Sequence, residues 1–182
     1  MALQTASLSV AVESDRAVIR VEGRANFATS VSFKQLVQSL AGRGCHSYVL
    51  DLTHCQLMDS TFLGVLVGLT QRHSRVADGG PSCFSLFNAN EHVHGIFDNM
   101  GILPLFGTID SLETHGSGYA EFVLLREMPD KETLTRNSLE AHRELMEAHP
   151  ENALRFKSVA EFLEHDLLRI TRARKNSKPA KS

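Results

Sequence analysis

Between residues 7 and 109 the chain switches repeatedly between two hydrophobic periods, and this restricts its folds more than any other feature. "SLSVAV" (Ser7–Val12) and "AVIRVEG" (Ala17–Gly23) alternate apolar with polar residues across Glu13-Ser14-Asp15-Arg16. That pattern predicts a β-hairpin, with Gly23 ending the second strand. After Asn26, the residues Phe33, Leu36, Val37 and Leu40 fall at helical spacing, closed by Gly42. "SYVLDL" (Ser47–Leu52) reads as a strand. Thr61 to Ser74 reads as a helix, with Leu63, Leu66, Val67 and Thr70 on one face and Phe62, Val65 and Leu69 on a second. Asp78-Gly79-Gly80-Pro81 is a loop, "CFSLF" (Cys83–Phe87) a strand, and Asn90–Met100 a helix capped by Gly101. In that helix Val93, Ile96, Phe97 and Met100 are in register, and "LPLFGTI" (Leu103–Ile109) is a last short strand. The order β-β-α-β-α-β-α-β predicts an α/β fold, a mixed and mostly parallel β-sheet packed with helices.

The character changes after His115-Gly116-Ser117-Gly118. "YAEFVLL" (Tyr119–Leu125) is compatible with a strand or a helix start. Asp130 is placed to cap a helix that runs to about His149 and stops at Pro150. A second helix carries Phe156, Val159, Ala160, Leu163, Leu167 and Ile170 as a stripe, with Ser158-x-x-Glu161 as a capping box within it. The expected division is a domain over 1–115, a linker or extra strand over 116–128, a C-terminal α-helical extension over 129–174, and a disordered basic tail over 175–182. Residues 1–118 are expected to fold without the extension, because their β/α pattern is complete. Two helices of this length do not bury their stripes unaided, so they pack on the parent domain or on each other, or else form a hairpin that docks on a partner or builds a homodimer.

Composition narrows the function classes. Apolar residues make up 42% of the chain, enough for a core. A net charge of −2 gives no general attraction to nucleic acid or to an anionic membrane. Three cysteines without a CxxC pair argue for a reducing compartment. The N-terminal residues lack a basic stretch followed by an apolar one, and no apolar run approaches the ~18 residues that a membrane span needs. The expected location is the cytoplasm, without membrane insertion. His92 and His94 diverge on their helix, and the pairs Cys45/His46 and His54/Cys55 flank opposite ends of one strand, so a metal site is disfavoured. There is no phosphate-binding GxxxxGK loop, nucleophile elbow or HExxH motif. No catalytic residue, metal or cofactor is expected.

One stretch does carry a signal. In "VLDLTHCQLMDSTFLGVLVGL" (Val49–Leu69), Asp59, Ser60 and Thr61 stand between a buried strand and an apolar helix. Either Asp59 or Ser60 can cap that helix. A serine there also sits where backbone N–H groups and the helix dipole favour an anion. A phosphoryl group added to it brings roughly −2 charge without unfolding the helix. Gly64 and Gly68, four apart, open a smooth face at a cost of about 1 kcal/mol each relative to alanine. That face serves either close packing on the protein's own sheet or the approach of a partner.

The element order and the segments "LDLTHCQLMDSTFLGVLVGL" and "NANEHVHGIFDNMGILPLFGTIDS" resemble the STAS domain, as in bacterial anti-sigma factor antagonists, over about residues 7–113. The resemblance implies that Ser60 is phosphorylated by a cognate serine protein kinase, often the anti-sigma factor itself, and dephosphorylated by a metal-dependent protein phosphatase. Asp59 and Thr61 would form the phosphosite's surroundings, and Asn26, Phe62, Gly64 and Gly68 its partner-binding surface. The chain departs from the family pattern in carrying Phe62 where glycine is common, and Asn26 where an acid is usual. Phe62 is expected to be partly exposed and to anchor the partner. A different member type implies a different role: a STAS subunit docked on the ATPase of a phospholipid-trafficking ABC transporter, with no phosphorylation.

Overall fold

The computed structural model describes residues 6–73, 82–112, 120–122 and 129–177. Strands β1 (Ser7–Glu13) and β2 (Arg16–Ala25) form the expected antiparallel hairpin. Its two-residue turn holds Ser14 at a positive φ of 56°. Helix α1 (Phe27–Gly42) follows, then β3 (Ser47–Asp51), β4 (Cys55–Met58) and α2 (Ser60–His73). Next come β5 (Phe84–Phe87), α3 (Glu91–Asn99), a 3-10 turn (Leu103–Leu105) and β6 (Gly107–Ile109). The chain ends in β7 (Ala120–Phe122), α4 (Lys131–Ala148) and α5 (Pro150–Ser177).

The main sheet has the order β6-β5-β3-β2-β1-β7. Strands β2, β3, β5 and β6 pair in parallel, while β1 pairs antiparallel with β2 and with β7. The mixed, mostly parallel sheet with a helical extension is therefore the architecture observed. Gly23 does not end β2. It takes φ 90° at a shift of register, beyond which β2 runs on to pair in parallel with β4. A left-handed φ is costless for glycine and strained for other residues.

The segment Cys55–Met58, which the hydrophobic periods leave unassigned, is the short strand β4. Three further expectations need correction. "LPLFGTI" is extended only from Gly107, because Pro104 fits the start of a 3-10 turn. Ser158 lies in the interior of α5, so Ser158-x-x-Glu161 caps nothing, and residues 175–177 continue the helix rather than starting a disordered tail. The strand alternative holds for Ala120–Phe122. The loop Asp78–Pro81, the break His115–Gly118 and residues 178–182 lie outside the described residues.

The helices stack in layers. Phe33 of α1 meets Phe84 of β5 at 6.3 Å and Phe62 of α2 at 4.9 Å between ring centroids, so α1 and α2 share the sheet-side core. Over α2 lies α4, whose Leu139, Ala141 and Leu145 are buried, and α5 packs back on α4. Asp130 caps α4 as expected, accepting from Thr133 N at 2.8 Å. The extension packs on the parent domain and on itself.

Candidate functional site

Every residue of α2 from Thr61 to Thr70 is buried, although the sheet and α1 cover only part of the helix. The remaining cover comes from α4. At the crossing point a Cβ on Gly64 would overlap the carbonyl oxygen of Ala141 and sit 2.8 Å from its Cα. One turn on, a Cβ on Gly68 would lie 2.7 Å from the Glu144 carboxyl carbon. The two glycines therefore face neither the sheet nor open solvent. Gly64 admits the backbone of the chain's own α4 at a distance no side chain allows, and Gly68 leaves room for the paired Glu144 and Arg72 side chains.

The first turn of α2 is fixed by Asp59. Its Oδ1 accepts from Phe62 N at 2.8 Å, the N-cap geometry, and its Oδ2 accepts from Phe27 N at 2.7 Å. One carboxylate thus stitches together the starts of α2 and α1. Burial pushes the Asp59 carboxyl above its ordinary value, and the backbone N–H donors of Phe62, Phe27 and Thr61 offset this only in part. Asn26 is consumed in the same way at α1, where its Oδ1 accepts from Ala28 N and Thr29 N, each at 3.1 Å.

Because Asp59 caps the helix, the Ser60 hydroxyl is spared that task. It lies 3.1 Å from His142 Nε2. His142 Nδ1 lies 2.7 Å from Ser138 O, and a carbonyl only accepts, so Nδ1 carries a proton. In the neutral ring Nε2 is then an acceptor, and Ser60 Oγ–H donates to it. His142 is 5% exposed and packs edge-on against Phe156 at 5.1 Å. Ser60 itself is half-buried.

Polar contacts frame this seam. Asn137 Nδ2 donates to Ser30 Oγ at 2.9 Å. Lys34 Nζ pairs with Glu140 Oε2 at 2.9 Å, and Arg72 Nη1 with Glu144 Oε1 at 2.6 Å. At the α4–α5 corner, Asn152 Nδ2 donates to Met100 O at 2.9 Å and to Leu145 O at 3.1 Å. The structure thus brings Asp59, Ser60, Thr61, Gly64 and Gly68 to one helix and sets Asn26 beside it.

Phe62 does not join that surface. It is 0% exposed and stacked in the core against Phe33, so the expectation of a partly exposed anchor is corrected. As the third residue of α2 it turns inward toward α1. Thr61 is also buried, at 6% exposure. Sequence reasoning missed His142, Ala141 and Glu144. Their signal was the Gly64/Gly68 pair together with the small Ala141 and the acids Glu140 and Glu144 on an amphipathic helix. No cluster of metal-ligating side chains occurs among the described residues, and no helix among them is long and apolar enough to cross a membrane.

Comparison with known proteins places this geometry. No curated protein matches the chain. The solved structures that share the fold include two described as anti-sigma factor antagonists. One is a Thermotoga maritima protein described as an anti-sigma factor antagonist, 21% identical, covering 58% of this chain and 87% of its own, at a TM-score of 0.50. The other is an anti-sigma factor antagonist from Mycobacterium paratuberculosis, 16% identical, covering 59% of this chain and 88% of its own, also at 0.50. The family described as "Mlab, STAS domain" matches residues 8–102, more than half of the sequence. The chain belongs to the STAS domain family.

Proposed function

We propose that this chain is a non-enzymatic partner-switching protein of the anti-sigma factor antagonist type, controlled by reversible phosphorylation of Ser60. A serine protein kinase, itself the anti-sigma factor, transfers the γ-phosphoryl group of ATP to Ser60 Oγ. The new O–P bond forms as the bond to ADP breaks, and the hydroxyl proton leaves to the kinase's base. A metal-dependent phosphatase hydrolyses the ester. The reading places this exchange in the cytoplasm and needs no cofactor.

The observation that carries the reading is the division of labour at the start of α2. Asp59 does all the capping, so Ser60 is free to change its chemistry without loss of the helix. A phosphoryl group at this position gains from the helix dipole, so the fold survives while the surface gains roughly −2 charge beside Asp59. A partner matched to a neutral hydroxyl then has to desolvate a second charge, which can cost several kcal/mol of affinity.

The experiment is a titration of wild type, Ser60→Ala and Ser60→Asp against the cognate kinase, with phosphate incorporation measured in parallel. Ser60→Ala should bind and accept no phosphate, and Ser60→Asp should fold and lose affinity. Equal binding by all three would refute the switch. It would favour the second reading, a subunit docked on an ABC-transporter ATPase. That reading draws on the hydrogen bond to His142, which uses the Ser60 hydroxyl as a fixed contact.

A further inference from the structure

We infer that the α2 face is an exchangeable helix-binding surface: α4 occupies it in this state, and an external protein partner gains Ser60 by seating a helix built like α4 in its place. The inference rests on the partner-switching reading above and adds to it the kind of partner and a competitor carried in the same chain.

Three features of the seam specify the occupant. The crossing at Gly64 is made against the Ala141 backbone, so it demands a helix with a small residue at that point and little else. The rim is basic on the parent domain and acidic on the guest: Lys34 meets Glu140 and Arg72 meets Glu144. Between the rims, Ser60 donates to an acceptor one residue beyond the small one, supplied here by His142. The fitting partner is therefore an amphipathic helix reading acid, small residue, acceptor, any residue, acid, as in Glu140-Ala141-His142-Arg143-Glu144. None of these contacts depends on the helix belonging to the same chain.

The same geometry makes α4 a barrier to the Ser60 chemistry. The Ser60 oxygen is held under His142, on a helix whose next turn touches the Ala141 backbone. A tetrahedral phosphoryl group on that oxygen does not fit between it and the His142 ring while α4 is seated. A kinase reaches Ser60 only after α4 has lifted, and the modified serine then resists the return of α4. Partner binding and hairpin opening are one equilibrium, and the apparent affinity falls by the fraction of molecules that are closed.

The test uses the full chain and a probe independent of any kinase. A fluorescein-labelled synthetic peptide of the wild-type sequence 130–177 is titrated into wild type and into Glu140→Lys/Glu144→Lys, whose own α4 meets like charges at Lys34 and Arg72. The wild type should show no saturable binding. The double variant should bind the peptide at least about tenfold more tightly, a difference of about 1.4 kcal/mol. Amide exchange in α2 should accelerate in the variant and slow again once peptide is added. Adding Lys34→Glu/Arg72→Glu to the double variant restores opposite charges, so peptide binding should disappear again.

Two results would overturn the inference. One is a folded double variant with wild-type exchange in α2 and no peptide binding. The other is a double variant that loses cooperative folding, which would make the hairpin an obligatory part of the core. Phosphate on Ser60 is read independently, by incorporation and by mass spectrometry, so failure of this inference and failure of the phosphorylation reading are distinguishable.

Discussion

Replacing Gly64 by alanine adds one methyl group in the middle of α2, where helix propensity alone favours the change by about 1 kcal/mol. The structure reverses that sign. The new Cβ would overlap the Ala141 carbonyl oxygen, a backbone atom with no rotamer to escape into. Relief requires α4 to move outward by roughly 1 Å, since carbon and oxygen need a little more than 3 Å between them. That shift carries the Ser60–His142 and Ser30–Asn137 hydrogen bonds, now 3.1 and 2.9 Å, out of range. Overpacking at about 1–3 kcal/mol, plus two hydrogen bonds at about 1 kcal/mol each, less the propensity gain, gives a net loss of about 2–4 kcal/mol. Urea unfolding measures the loss, and amide exchange locates it: protection should fall in α4 and on the Gly64 face of α2, and hold in β2 and β3. A Gly64→Ala protein that gains about 1 kcal/mol, with α4 protection unchanged, would refute the close crossing.

Other consequences follow from the core. Phe62→Ala should cost about 3–5 kcal/mol, read from urea unfolding, because the ring is fully buried against Phe33; a neutral effect would return Phe62 to the surface. Asp51 is 2% exposed and pairs with Arg20 at 2.9 Å. Burial would raise its carboxyl, but hydrogen bonds from Thr53 and Arg20 outweigh burial and hold it below its ordinary value. Its contribution is thus present above the unfolded carboxylate range and lost as pH falls through its lower folded value, so Asp51→Asn should flatten the acid limb of the stability–pH curve.

Most of the sheet was legible because period two and period 3.6 separate cleanly in this chain. Strand β4 was not. "CQLM" is four residues long and pairs only with the end of β2 beyond the Gly23 shift, so its strand character comes from a distant neighbour rather than from its own pattern. The start of α2 was legible as a capping site, but local sequence does not say which of Asp59 and Ser60 caps. That is decided by Phe27 N, whose donation to Asp59 holds the carboxylate in place. Phe62 was misplaced because the two apolar faces of α2 were both real. One meets the core and the other is roofed by α4, and an aromatic in the first turn could belong to either. The glycine pair announced a close approach correctly, yet a single sequence cannot distinguish a guest helix in cis from one in trans.

The central claim is that Ser60 is the modified residue. Mass spectrometry of the protein isolated from its native host tests it most directly, with peptides spanning Asp59 to Arg72 mapped for phosphate. The account predicts a phosphorylated fraction whose phosphate localises to Ser60 and disappears in Ser60→Ala. Phosphate confined to another residue, or a Ser60 peptide that stays unmodified while the cognate kinase is active, would contradict it.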